Sequence, residues 1–182
     1  MVRLNLPEKI ETERLLLKRL RYEDAEEIFY SYASKPEATR YLAFPTHQSV
    51  DDARNFLAYA VGAWEAGTDY AFGIRLKGDN HFVGSIGIIN ENGKVHFGYC
   101  LSPTYWNKGL TTEACQAVIS LLKKQKNIHR IWTFIDSENL ASGKVIMKCG
   151  LMEEARLTKW FRFVNQGNQP KDCILYVLRE KI

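Results

Sequence analysis

The stretch SPTYWNKGLTTEA, residues 102–114, brings a lysine and a glycine to the point where a helical pattern begins. The N–H groups that open a helix have no partner within it and the helix dipole is positive there, so a phosphate at that end receives several hydrogen bonds. Gly109 has no Cβ to hold a phosphate away from the backbone, Lys108 adds a mobile cation, and Thr111 or Thr112 can cap the helix. The stretch therefore has the parts of a pyrophosphate-binding loop.

Taken alone, this loop is a weak signal, because one glycine before a helix is most often only a turn. The stretch is not a Walker loop, which needs G-x-x-x-x-G-K-[ST], and the sequence has no G-x-G-x-x-G dinucleotide pattern. The elements that position the loop must therefore identify its ligand.

The hydrophobic periodicity predicts the order strand, two helices, three strands, helix, strand, helix and further strands. The first strand is ERLLLKRL at 13–20, and VHFGYCL at 95–101 alternates so that its two sets of side chains face opposite sides. A helix at 112–124 and a strand at 129–135 follow, so a strand–helix–strand unit spans 95–135. Such a unit predicts a parallel pair with a right-handed crossover in an otherwise antiparallel sheet.

Composition bounds the class of protein. The 182 residues predict a single domain over 1–182, and 46% hydrophobic with 25% charged residues is typical of a soluble globular protein. A net charge of +4 suits an anionic ligand but is too mild to indicate a nucleic-acid partner. No apolar run is long enough to span a membrane or serve as a secretory signal. The four cysteines lack metal-site spacing, so we expect free thiols, no metal and a cytoplasmic location.

Several ordered motifs carry a resemblance to a known family. GYCLSPTYWNKGLTTEA, followed by DSENLASGKVIMKCGL, resembles the GCN5-related N-acetyltransferases (GNAT superfamily), and most closely their RimJ/RimL-like branch. ETERLLLKRLRYEDAEEIF resembles the opening segment of that branch, so the resemblance spans about 11–178. It implies an α/β (α+β) GNAT fold: a mixed, mostly antiparallel sheet of six to seven strands with one parallel pair, flanked by about four helices. It also implies acetyl-CoA-dependent transfer of an acetyl group to a primary amine by direct attack in a ternary complex.

The resemblance also assigns the acetyl-CoA site. The family loop Q/R-x-x-G-x-G/A corresponds here to residues 106–111, with Thr111 in place of the small residue. By resemblance, the pyrophosphate would be held by backbone amides of Asn107, Lys108, Gly109, Leu110, Thr111 and Thr112. The pantetheine arm would pair with the main chain of Tyr99, Cys100 and Leu101 and would be bound by Asn139.

Two catalytic residues follow by position. His96 stands where many family members have a glutamate that accepts the amine proton, and a histidine is a competent base at neutral pH. The alternative is a packed strand histidine without a catalytic role. Ile146 occupies the position of the family tyrosine that protonates the departing thiolate, and Ser142 is the natural substitute. The alternative for Ser142 is a helix cap.

Two other functions remain open on the sequence. A non-catalytic acyl-CoA-binding or ribosome-associated module with the same fold is motivated by the missing glutamate and tyrosine. A small RNA-binding domain is suggested by KWFRF at 159–163, although the mild charge argues against it. The acceptor would be selected by residues 34–48 and 156–170, and the candidates are a protein N-terminus such as that of a ribosomal protein, a small-molecule amine, a polyamine or an amine antibiotic. We expect a monomer or homodimer without a membrane partner.

Overall fold

One mixed sheet organises the chain in the computed structural model, which describes residues 2–179. Within those residues eight strands follow the order β1-β2-β3-β4-β5-β6-β8-β7. The strands are β1 (Lys9–Glu11), β2 (Leu15–Arg19), β3 (Asp69–Leu76), β4 (Phe82–Glu91), β5 (Lys94–Leu101), β6 (Arg130–Asp136), β7 (Met152–Arg162) and β8 (Pro170–Val177).

Helices cover both faces of the sheet. They are α1 (Ala25–Ile28), α2 (Pro36–Thr39), α3 (Val50–Ala66), α4 (Leu110–Leu122) and α5 (Leu140–Lys148). A π-helical turn, Phe29–Ala33, continues α1. In the described part of the chain, no helix is long and apolar enough to cross a membrane.

The predicted strand–helix–strand unit is confirmed. β5 precedes α4 in the chain and β6 follows it, and these two strands pair in parallel. The other neighbouring strands of the sheet pair antiparallel. The described residues hold eight strands rather than six to seven, because a three-residue edge strand, β1, pairs with β2. A segment that short shows no alternation that a sequence pattern can reveal.

The alternation predicted for β5 sorts its side chains onto two hydrophobic layers. Phe97 and Leu101 pack into the larger cluster, which includes Val118 of α4 and Ile146 of α5. Cys100 packs into the smaller cluster, which α1 and α3 cover. The middle of β5 therefore contributes side chains to both hydrophobic clusters.

Candidate active site

A cleft opens where the two parallel strands separate. The β5–β6 ladder runs from Lys94 opposite Arg130 to His96 opposite Trp132 and stops there. At the point of separation the Thr133 hydroxyl donates to the Phe97 carbonyl at 2.7 Å. Beyond it lies a cavity of about 660 Å³ between the two strands, the start of α4 and the start of α5.

The phosphate loop closes one end of this cleft. Gly109 is the N-cap of α4, in the left-handed region with φ 76°, and its carbonyl accepts the first helical hydrogen bond from Glu113 N–H. The three N–H groups between them therefore have no acceptor within the helix. The suggestion that Thr111 or Thr112 caps the helix is wrong, because α4 begins at Leu110 and places both threonines in its first turn.

Two contacts that the sequence did not predict fix the loop. Arg14, just before β2, donates from Nη1 to the Lys108 carbonyl at 3.0 Å and pairs through Nε with Glu113 at 2.7 Å. Burial raises the pKa of Glu113, but hydrogen bonds from Thr12 and Arg14 outweigh that effect and hold the pKa below its usual value. The carboxylate thus stays ionised as the anchor of Arg14, and a second cation sits at the phosphate loop.

Ser142 faces the cleft from the first turn of α5. Asn139 is the N-cap of this helix, and its side chain accepts from the Ser142 N–H at 3.2 Å. The alternative in which Ser142 caps the helix is therefore wrong. The Ser142 hydroxyl lies 2.7 Å from the Tyr99 hydroxyl of β5, and burial raises the pKa of Tyr99, so its phenol stays protonated and can donate. The Ser142 hydroxyl is consequently held in place from the opposite wall of the cleft.

His96 lies just below the cleft. Its ring packs against that of Trp132 at an interplanar angle of 50°, with centroids 4.9 Å apart, and burial lowers its pKa. Gly98, two residues along the strand, lines the cavity, but His96 is not among the lining residues. The structure therefore does not bring His96 and Ser142 together around one point.

The sequence comparison decides the family. The family model described as "Acetyltransferase (GNAT) domain" matches residues 14–152, more than half of the chain. The chain belongs to the GNAT acetyltransferase family. It is 31% identical over 153 residues to a relative from Bacillus licheniformis named as the uncharacterized N-acetyltransferase p20, covering 82% of this chain and 85% of the relative.

Solved structures share the fold of this GNAT acetyltransferase. A GNAT-family acetyltransferase from Bacillus anthracis superposes with a TM-score of 0.81 at 28% identity, covering 93% of this chain and 96% of that one. RimL, the ribosomal L7/L12 alpha-N-protein acetyltransferase, in complex with coenzyme A, gives a TM-score of 0.83 at 16% identity, covering 96% and 98%. The predicted GNAT fold is thereby confirmed, and RimL shares it. The family match makes the chain an acetyl-CoA-dependent acyltransferase.

Most of the residues predicted to bind acetyl-CoA in this GNAT acetyltransferase line the cavity, but not all. The lining includes Tyr99, Cys100, Leu101, Asn107, Gly109, Thr111 and Asn139, together with Ser142. Lys108, Leu110 and Thr112 are not among the lining residues. Leu110 is buried in the larger core cluster, and the Lys108 ammonium lies over the Tyr105 ring, 4.9 Å from its centroid.

Two lysines of α5 were missed. Lys144 and Lys148 line the cavity on one face of the helix. The two lysines are four residues apart in the helix that follows Asn139, and this spacing is a sequence signal that could have found them, because residues at i and i+4 share a helix face.

The other end of the cleft is built by the segment predicted to select the acceptor. Glu37, Ala38, Tyr41 and Leu42 line the cavity there, opposite Gly98 and Cys100. Asn165, in the turn before β8, donates to the Thr39 and Phe44 carbonyls and accepts from the Thr46 N–H. The turn that contains Asn165 therefore holds the 34–48 segment in place, but Asn165 does not line the cavity itself. Among residues 2–179 there is no group of three His, Cys, Asp or Glu side chains arranged to hold a metal ion.

Proposed function

We propose that this acetyltransferase moves the acetyl group of acetyl-CoA to a primary amine by direct attack within a ternary complex. The observation that carries the proposal is one continuous cavity that joins the phosphate loop, the separated strands and the Ser142 hydroxyl. The two substrates can thus meet without a covalent enzyme intermediate. The buried thiols of Cys100 and Cys115 have pKa values raised by burial, which disfavours nucleophilic thiolates.

The cleft fits coenzyme A on its own geometry. A Cβ built at Gly109 would have only the Arg14 guanidinium nearby, at 3.5 Å, so the backbone of the loop is open to a phosphate. The first N–H groups of α4 supply hydrogen bonds, while Lys144 and Lys148 supply positive charge beside the cavity. Beyond His96 the main chain of β5 has no ladder partner on the β6 side. The Phe97 carbonyl accepts from the Thr133 hydroxyl and the Leu101 carbonyl from Trp106 Nε1, so an extended pantetheine amide would pair with the main chain between them, at Tyr99.

Ser142 would protonate the departing sulfur. Its hydroxyl is half-buried, lines the cavity and is oriented by Tyr99, which suits a donor aimed at one point. Ile146, at the position of the family tyrosine, is buried in the core and cannot take that role. His96 shares the face of Gly98 without lining the cavity, so it would accept the amine proton only through water.

The acceptor would enter beside Glu37, which lines that end of the cavity and carries a negative charge that can attract an ammonium group. A protein N-terminus is the acceptor that the RimL neighbour's name indicates for that protein. The same opening also admits a small-molecule amine or a polyamine. We therefore propose acetyl transfer to a free primary amine, without naming one acceptor molecule.

A thiol-release screen tests the proposal. The enzyme would be incubated with acetyl-CoA and, in separate wells, a short peptide with a free N-terminus, spermidine, an aminoglycoside and simple alkylamines. The same panel with Ser142→Ala distinguishes catalysis from background aminolysis. Release of CoA above that background supports the transferase. Tight acetyl-CoA binding by calorimetry without release from any amine would instead favour the non-catalytic acyl-CoA-binding module.

A further inference from the structure

One row of side chains crosses four strands on the face covered by α1 and α3. Asp69 lies opposite Ile89, Ile89 opposite His96, and His96 opposite Trp132. Three buried atoms of this row, Asp69 Oδ1, His96 Nδ1 and Trp132 Nε1, have no hydrogen-bond partner among the described residues. Buried polar atoms in folded proteins are nearly all satisfied, and water satisfies those that protein groups do not.

Two glycines, which have no side chains, lie between the row from Asp69 to Trp132 and the cleft. Gly87 and Gly98 lie opposite each other on the same face, two residues along their strands from Ile89 and His96. A Cβ built at Gly98 would meet nothing within 4 Å, and one built at Gly87 would meet Asp69 Oδ1 first, at 3.7 Å. Gly98 lines the cavity and is exposed, and Gly87 is partly exposed. We name this pair the glycine floor; neither residue places a side chain between the cavity and the Asp69 carboxyl group.

Asp69 has the chemistry of a proton acceptor. Burial raises its pKa to about 6, against hydrogen bonds from the Tyr59 hydroxyl and the Tyr70 backbone. The titratable groups around it are Tyr59 on α3, whose hydroxyl lies 3.3 Å from Oδ2, and His96 two strands away in the same row. The β4 residues beside it, Gly87 and Ile89, are uncharged.

We propose that Asp69 takes the proton of the acceptor amine through water lying on the glycine floor. Two strand spacings separate β3 from β5, roughly 10 Å, so the path needs about two or three waters. His96 is less suited to the role, because its ring packs against Trp132, on the β6 side of its strand, and does not line the cavity. The proposal rests on the proposed function.

The protons balance on this path. The acceptor enters as an ammonium with three N–H protons, and the amide product keeps one. A second proton passes to the sulfur of CoA by way of Ser142. The third passes to the Asp69 carboxylate and then to solvent beside Tyr59, whose side chain is exposed.

The test is the pH dependence of turnover at saturating acetyl-CoA, using whichever amine of the panel releases CoA. Only the carboxylate accepts a proton, so wild-type turnover should rise with pH around 6 and then level off. Asp69→Asn should lower turnover by about 10²–10⁴-fold and remove this rise. Asp69→Glu should recover part of the turnover. Gly87→Ala keeps the carboxylate but puts a methyl group on the glycine floor, so most of the turnover should be lost.

Tyr59→Phe separates Asp69 from His96. It removes a hydrogen bond that lowers the pKa of Asp69, so the rise should move to higher pH. His96→Gln should leave a rise that still moves when Tyr59→Phe is added. An unshifted rise in Tyr59→Phe, or wild-type turnover in a folded Asp69→Asn enzyme, would overturn the proposal alone. Failure of the wild-type enzyme to acetylate any amine would overturn the proposed function, and this proposal with it.

Discussion

Tyr99 and Ser142 join hydroxyls across the cleft, with 2.7 Å between their oxygens. The contact links the strand β5 to the first turn of α5. The seventh residue of that helix, Ile146, stands at the position of the family tyrosine and is buried in the core. A phenol thus reaches the reaction region from the strand, although the sequence assigned only main-chain contacts to Tyr99. Because burial raises the pKa of Tyr99, its role is to orient the Ser142 hydroxyl rather than to lose its own proton.

Replacing Tyr99 by phenylalanine should lower turnover by about fivefold, because a neutral hydrogen bond contributes about 1 kcal/mol. The affinity for acetyl-CoA should change little, since the main chain of β5 is unaltered. Steady-state kinetics with calorimetry of CoA binding measures both quantities. Ser142→Ala should cost more than Tyr99→Phe, and the double variant should cost no more than Ser142→Ala alone.

Tyr22→Phe is the matched control, because Tyr22 is an exposed tyrosine in the turn before α1, away from the cleft. Strictly additive losses in the double variant would contradict a positioning role, since two groups that act as a unit are not additive.

Gly109→Val should weaken CoA binding by at least about tenfold. The φ of 76° at Gly109 strains any β-branched residue, and the added methyl groups point into the space where the loop amides meet a phosphate. Gly167→Val is the matched control, because Gly167 has a φ of 67° with nothing within 4 Å of its built Cβ. Equal CoA affinity in the two folded variants would refute the phosphate-loop assignment.

Lys108→Ala should weaken CoA binding by less than tenfold, because an exposed cation contributes only about 0–1 kcal/mol. Arg14→Ala should cost more, since it removes the bonds that fix the Lys108 carbonyl and Glu113. Calorimetry of each variant gives the comparison, with Arg54→Ala as the control for loss of an exposed, paired arginine on α3. A hundredfold loss in Lys108→Ala would show that this side chain holds the phosphate.

The sequence predicts the features that depend on local pattern. The change from alternating to helical period around Gly109 is enough to predict the β5–α4–β6 unit, and the glycine itself marks the loop. The helix start was misjudged by two residues, because threonine is a common cap but Gly109 already supplies the left-handed turn.

Features that depend on pairing between distant segments were not predictable. The alternation of β5 puts His96 on the face of Gly98, but the register with β6 decides that the strands separate only after His96. Arg14 and Glu113 are 99 residues apart, and their contact exists only once β2 lies beside α4. In the sequence, Asp69 is only a polar residue at the start of a strand. Its proposed role depends on Gly87 and Gly98, which β4 and β5 bring beside it.

Asp69→Asn should stabilise the protein increasingly as the pH rises from 4.5 to 7.5. The pKa of Asp69 is raised from 3.8 to about 6 in the folded state, so its contribution to stability is full below pH 3.8 and is lost as the pH rises through about 6. Ionising the buried carboxylate therefore costs on the order of 1–3 kcal/mol at neutral pH, and the asparagine avoids that cost. Urea unfolding of both proteins at the two pH values measures the difference in free energy of unfolding. Asp51→Asn, which removes an exposed carboxylate from α3, controls for the change in net charge. A difference between Asp69→Asn and wild type that stays constant with pH would mean that the carboxyl group is not held neutral by burial.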